Sequence, residues 1–234
     1  VDDASKLEIP KNVKLKDSKD FKIIGKSVVN VDIEKIVTGK PLFGLDYKED
    51  GMVYSCVLRP PAFGQTLISF DSAESKKING VIDVVKFENK VAVIAKNTYA
   101  AIQGKKALKA EWKNPKILED SIFHKNKLND LLDKGKFKTM RKDGDVEKAF
   151  FEADKIIEKT YESPFLPHSC MEPMNFFANV TDRKIDLVGP IQTPDNTSKQ
   201  VAEMLNRDIS EIDLKMTRMG GGFGRRLRGD FVIE

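Results

Sequence analysis

Apolar residues along this chain change their spacing several times, and each change marks an element. Gly51-Met52-Val53-Tyr54-Ser55-Cys56-Val57-Leu58 reads as a strand, and Arg59-Pro60-Pro61 ends it. Asp71 is placed to cap a short helix through Lys77, and Asn79-Gly80 signals a turn. The β-branched runs Val81–Val85 and Val91–Ala95 flank Glu88-Asn89-Lys90 and predict a hairpin. Thr98 predicts the cap of a helix over 99–109, with Ala110-Glu111-Trp112 as the strand behind it. Strands and helices mixed with short links predict an α+β unit over 31–112. Residues 1–30 are Lys-rich and weakly periodic, and read as a surface-running lead segment.

Residues 113–142 are rich in Lys and Asp and read as a linker holding one loosely amphipathic helix near 120–134. A second unit is expected over 143–234. Asp145 is a good N-cap, and Val146, Ala149, Phe150 and Ala153 follow on one helical face. Ile156–Tyr161 predicts a strand. Phe176–Val180 and Ile185–Val188 predict a hairpin around Thr181-Asp182-Arg183-Lys184. Thr193-Pro194 reads as N-cap plus first-turn proline, ahead of a helix carrying Thr197, Val201, Met204 and Leu205 on one face. Ile212, Leu214 and Met216 alternate with polar residues, the period of a half-buried strand. This strand runs directly into Gly220-Gly221-Gly222-Phe223-Gly224-Arg225-Arg226. Asp230–Glu234 reads as the first turn of a further element, so a longer parent chain is the expectation.

Composition narrows the class. With 40% hydrophobic residues the chain is rich enough for a normal core, which excludes disorder. Its net charge is only +4 although 32% of residues are charged, and the signs are interspersed. A nucleic-acid partner is therefore not expected, since it would call for basic charge gathered on one face. No apolar stretch reaches the roughly 18 residues that span a bilayer, and Val1-Asp2-Asp3-Ala4 shows no signal peptide. Cys56 and Cys170 fit no metal spacing, and each is expected as a buried, inert thiol.

Three segments can carry chemistry. In the glycine loop, four glycines in five positions remove Cβ atoms and permit positive φ, so amide N–H groups can turn toward an anion. Arg225, Arg226 and Arg228 add planar donors suited to phosphate or carboxylate. A helix starting near Gly229 would add its dipole. The spacing is neither a Walker loop nor a dinucleotide fingerprint, and a flexible turn with a basic face is the competing reading. In the second segment, Pro164–Asn175, His168, Glu172 and Asn175 sit among apolar residues and are expected to satisfy structural hydrogen bonds rather than to ligate metal. In the third, Gln192 lies at a strand-to-helix corner, a usual place for ligand contacts.

The order and spacing of these segments resemble the large, molybdenum-binding polypeptide of the xanthine dehydrogenase/aldehyde oxidase family. Within that family the likeness is closest to the isoquinoline 1-oxidoreductase β-subunit. It rests on Met171-Glu172-Pro173-Met174-Asn175, on Gln192-Thr193-Pro194, and on Gly220–Arg226 followed by Asp230-Phe231. Lys35-Ile36-Val37-Thr38-Gly39, Arg59-Pro60-Pro61, Gly80-Val81 and the run to Trp112 resemble the family's α/β hammerhead domain. The fold so implied is α+β, a hammerhead followed by the beginning of a molybdopterin-binding domain.

The resemblance implies oxidation of aldehydes or N-heterocycles with water as oxygen source. It implies molybdenum on a molybdopterin cytosine dinucleotide, a [2Fe-2S] small subunit or domain, a cytochrome c as further acceptor, and a periplasmic or membrane-associated setting. Cofactor contacts are expected from Gln192, Gly221, Gly222, Phe223, Gly224, Arg225 and Arg226, the two arginines supporting the loop or its anionic groups. No catalytic or metal-ligating residue is expected within these residues, because the family's general-base glutamate would lie beyond Glu234. Other members carry Gln-Glu-His where this chain has Leu166-Pro167-His168, which puts the glutamine's mechanistic role in doubt. A different class remains open beside this one: a non-enzymatic nucleotide- or anion-binding module, or a subunit-interaction domain.

Overall fold

The computed structural model describes residues 5–234. The first four residues, which carry the signal-peptide reading, lie outside the described residues. Along the chain the elements are α1 (Ile33–Val37), β1 (Tyr54–Leu58), β2 (Thr66–Asp71), α2 (Ala73–Lys76), β3 (Val81–Phe87), β4 (Lys90–Ala95), α3 (Thr98–Ala107) and β5 (Lys109–Lys113). They continue with α4 (Ser121–Lys134), α5 (Val146–Phe151), β6 (Phe177–Val180), β7 (Ile185–Gly189), α6 (Pro194–Leu205), β8 (Ile212–Met216) and α7 (Asp230–Ile233). The mixed α+β class follows as expected. Contacts divide the chain into two units, 48–169 and a unit made of the segments before Lys48 and after Ser169. The division expected from sequence, at 31–112 and 143–234, differs. Asp32 pairs with Arg218 at 2.8 Å, the Arg218 N–H donates to the Leu42 carbonyl, and the Leu45 N–H to Glu172. These bonds bring residues 32–45 to the C-terminal segment, and no local pattern announces them.

In the 48–169 unit, β3 and β4 form the expected hairpin, with Phe87 opposite Lys90 and Glu88 in a positive-φ turn. β1 joins the other side of β4, giving the order β1-β4-β3. Val84, Val91 and Val93 form the buried cluster, with Leu58, Leu67, Phe70 and Leu108 packed against it. A β-strand turns alternate side chains to opposite faces, and Val91, Val93 and Ala95 are all fully buried on one of them. β2 has no counterpart among the strands expected from sequence; it pairs antiparallel with β5 through a bulge between Leu67 and Ser69. Asn89 at the hairpin tip stitches it in place, accepting from the Leu67 N–H and donating to the Gln65 carbonyl.

Local capping departs from expectation in three places. Asn97, not Thr98, caps α3, its side chain accepting from the Ala100 N–H at 2.8 Å. Asp71 accepts from the Ala73 N–H, while Ser72 holds the cap position of α2. At α6, Thr193 caps without its side chain, and its hydroxyl donates to the Leu227 carbonyl instead. Asp145 caps α5 as the sequence suggests, and Asp120 caps α4. The strand expected at 156–161 does not form. Ile156, Ile157 and Tyr161 are exposed, and the segment has no neighbouring strand to complete a ladder.

The other unit holds a three-stranded sheet, β6-β7-β8. β6 and β7 are the expected hairpin, and β8 pairs parallel to β7 after the α6 crossover. Ile185, Leu187 and Val201 are its buried centre, packed by Phe176, Leu205, Ile212, Leu214, Val232 and Ile233. Met204, expected on the buried face of α6, is instead half exposed, and Ala202 is buried beside Val201 and Thr197. Gly189 permits this packing, since a Cβ there would lie 2.4 Å from the Phe176 ring.

Candidate functional site

β7 and β8 end side by side, Gly189 opposite Met216. Both therefore deliver their following loops to the same edge of the sheet. Segments beyond the carboxyl ends of parallel strands are the usual ligand-binding positions of such sheets. After β7 come Pro190, Ile191 and Gln192; after β8 comes the glycine loop. The Pro164–Asn175 stretch joins them through Glu172, whose N–H donates to the Gly220 carbonyl at 3.0 Å. Three segments distant in sequence thus meet within one unit.

Arg226 is the centre of this meeting. It is fully buried. Its Nε donates to the Gly221 carbonyl at 2.9 Å, Nη1 to the Pro190 carbonyl at 3.4 Å, and Nη2 to the Glu172 carbonyl at 2.9 Å and to Glu172 Oε2 at 3.3 Å. The Gln192 N–H in turn donates to the Arg226 carbonyl at 2.9 Å. Of the two roles expected for this arginine, loop support or anion contact, its geometry is that of loop support. Arg225 forms a two-pronged pair with Asp230, at 2.8 and 2.9 Å. Burial favours the protonated form of Asp230, but the bonds and charge from Arg225 outweigh it and hold this carboxyl below its ordinary range. Only Arg228 of the three arginines is exposed.

The remaining donors of the site belong to the backbone. Gly220 N–H donates to Glu172 Oε2 at 2.8 Å. The next four amides, those of Gly221, Gly222, Phe223 and Gly224, donate to no acceptor among the described residues. Gly221 and Gly224 have φ of +104° and +85°, and Phe223 has +49°. A bulky residue at positive φ is a strained exception, and the Phe223 ring is 74% exposed. Strain of that kind collects at ligand clamps. Gln192 is exposed and lies against the loop: a Cβ on Gly222 would come 2.7 Å from its Oε1. A run of unpaired amides of this kind can receive an anion. The helix dipole expected behind it reduces to the single turn of α7.

Other candidates fall outside this cluster. His168 is exposed and makes no hydrogen bond among the described residues, contrary to the structural role expected of it. Cys56 and Cys170 are free thiols and half-buried rather than buried; the Cys170 Sγ lies 3.4 Å from the Gly222 carbonyl. Among the described residues no His, Cys, Asp or Glu group has the arrangement of a metal site. None of their helices is long and apolar enough to cross a membrane. A surface cavity of about 450 Å³ lies elsewhere, lined by Val146, Ala149, Phe150 and Ile156. Glu172 and Asn175, expected only to satisfy structural hydrogen bonds, stand at the centre of the site. Their signal in the sequence is that of polar residues fixed in an apolar stretch.

Residues 123–232 match the molybdopterin cofactor-binding domain. The chain is 28% identical to the membrane-bound aldehyde dehydrogenase (pyrroloquinoline-quinone) of Gluconacetobacter polyoxogenes, over 94% of its own length and 30% of that protein's. It is 24% identical to the large molybdopterin subunit of nicotinate dehydrogenase from Eubacterium barkeri, over 89% and 57% respectively. Residues 123–232 thus belong to the molybdopterin cofactor-binding domain family. Among solved structures, the chain is similar in fold to quinoline 2-oxidoreductase from Pseudomonas putida 86. The TM-score is 0.65 and the identity 16%, covering 89% of this chain and 32% of the other. The Cu,Mo-CO dehydrogenase is similarly related, with TM-score 0.64 and 18% identity, covering 89% of this chain and 33% of the other. The chain thus spans only part of each of these proteins, from about a third to just over half.

Proposed function

We propose that this chain supplies one wall of a molybdopterin pocket in an oxidoreductase that converts aldehydes or N-heterocycles, with water as the source of oxygen. The observation that carries the reading is the run of four unpaired amides at Gly221–Gly224 beside the exposed Gln192. The donor set suits the group. Molybdopterin is anionic, and neutral N–H donors receive an anion without needing a countercharge. The absent Cβ atoms at Gly221, Gly222 and Gly224 let the backbone approach it closely. When bound, the cofactor supplies the redox chemistry itself. The protein residues position it: the amides hold its oxygens, Gln192 offers an amide donor or acceptor, and the Phe223 ring shields that side from water. Arg226 and Arg225 act from behind the loop.

The name of the Gluconacetobacter relative carries pyrroloquinoline quinone, whereas the domain match favours molybdopterin for this chain. In the same reading the cofactor is the cytosine dinucleotide form, and electrons pass to a [2Fe-2S] subunit or domain and on to a cytochrome c. The setting is periplasmic or membrane-associated, and the β1–β5 unit corresponds to the family's hammerhead domain. The Eubacterium relative is itself named as one subunit of its enzyme, which supports partners of this kind.

The test is retention of cofactor. Protein carrying these residues, produced in a host that makes molybdopterin, should hold pterin and molybdenum. Gly222→Leu places a side chain where Gln192 lies and should cut both about tenfold or more, with the circular dichroism unchanged; each tenfold corresponds to about 1.4 kcal/mol of binding. Unchanged pterin in that variant would refute the reading. Phosphate binding without any pterin would support the simpler anion-binding module.

A further inference from the structure

We propose that Glu172 is the positioning residue that turns the Gly221–Gly224 amides outward, so that one buried carboxylate prepares the whole anion-facing loop. The inference rests on the cofactor-wall reading for what the loop receives, but not for how the loop is held.

Glu172 is 6% exposed and uses both carboxylate oxygens. Oε2 accepts from the Gly220 N–H at 2.8 Å and from Arg226 Nη2 at 3.3 Å. Oε1 accepts from Asn175 Nδ2 at 3.0 Å and from the Leu45 N–H at 3.3 Å. Its own N–H and carbonyl are bonded to the Gly220 carbonyl and to Arg226. The residue therefore grips the first glycine of the loop from both sides of the peptide chain. Through Arg226 it also fixes the carbonyl of Gly221 inward. A peptide plane whose carbonyl is held inward must present the following N–H, that of Gly222, on its opposite side. The constraint on Gly221 thus propagates into the amide run.

Space is equally restricted. A Cβ on Gly220 would lie 2.5 Å from Glu172 Cβ, and one on Gly44 would lie 2.3 Å from Asn175 Oδ1 and 3.2 Å from Glu172 Oε1. Glycines at these positions let backbone close on the carboxylate from two directions. No other carboxylate among the described residues touches the loop's first peptide. Arg225 and Arg226 are thus tied to carboxylates, and the donors that Glu172 positions are neutral amides.

The test uses the 234-residue chain with wild-type, Glu172→Gln and Glu172→Ala forms. Two readouts are backbone amide NMR of Gly221–Gly224 and their response to titrated inorganic phosphate. In the wild type these amides should shift with phosphate. Glu172→Ala should move the loop resonances while leaving those of β6, β7 and β8 in place, and should weaken the phosphate response about tenfold, the scale of one lost charge-assisted hydrogen bond. Glu172→Gln keeps an acceptor for Gly220 and should restore part of that response. Loop resonances unchanged in Glu172→Ala would overturn the proposal. Loss of structure across the whole sheet in both variants would also overturn it, because Glu172 would then serve the fold and not the loop. If the variants move the loop but the wild type ignores phosphate, the positioning role stands and the cofactor-wall reading fails.

Discussion

Single residues here change role once their neighbours are known. Arg225 and Arg226 have the same charge and adjacent positions, yet one is fully buried and the other clamps an exposed carboxylate. Arg226 is buried with its charge met by Glu172 and its other donors met by carbonyls, the condition under which a buried ion is tolerated. The Arg225–Asp230 pair is more exposed and its contribution correspondingly modest. Its pH dependence has a definite sign. Asp230 has a folded-state pKa below its ordinary value. The stabilisation is therefore full above the ordinary carboxylate pKa of about 4 and is lost as pH falls through the lower, folded value. Thermal melting of Asp230→Asn should trail the wild type at neutral pH, and the gap should close in acid. A gap independent of pH would show that the carboxylate charge is not its source. The sequence shows a basic cluster; it cannot show which cations are already neutralised, because Glu172 lies 54 residues from Arg226.

At the scale of elements, capping gives a direct comparison. Asn97 and Thr98 are adjacent, and both residue types can cap. The extended backbone belongs to Asn97, whose side chain reaches Ala100 N–H. Asn97→Ala should cost about 1 kcal/mol in urea denaturation and Thr98→Ala much less; the reverse order would restore the cap read from sequence. α3 also shows why element patterns alone fall short. Gly104 lies in its interior, an unfavourable helix residue, but a Cβ there would come 2.7 Å from Val93 and 2.9 Å from Val81. The helix packs too closely on the sheet for any larger residue. β3, β4, β6 and β7 are legible as paired apolar runs with short turns, since hairpin pairing is local. β2 pairs with β5 only after β3, β4 and α3 have intervened, and has no local partner to reveal it. The 156–161 run shows the converse: a sequence suited to a strand stays outside any sheet when no neighbour completes it.

Over the whole molecule, each unit has its own buried cluster, one around Val91 and Val93 and one around Ile185 and Leu187. Ile185→Ala should destabilise its unit by about 2–5 kcal/mol. Hydrogen exchange should rise in β6, β7 and β8, while β3 and β4 keep their protection. Equal loss in both units would show that they unfold as one. Large apolar side chains on α4 and α5 remain exposed, including Leu131, Leu132, Phe150 and Phe151, and neither helix contains a fully buried residue.

The residue order by itself determined most helices, the two hairpins and the mixed class, and its motifs carried the family resemblance, because these depend on spacing within short windows and on motifs in sequence. It marked the glycine loop and Gln192 as separate candidates, which only the family resemblance assigned to one cofactor. Tertiary structure alone decided how that site works. It joined residues 32–45 to the C-terminal segment, buried Arg226 against Glu172, and left four consecutive amides without acceptors among the described residues. Each of those outcomes is a contact between distant segments, and the free energy of a buried charge or an unpaired N–H is defined only once the surrounding atoms are in place.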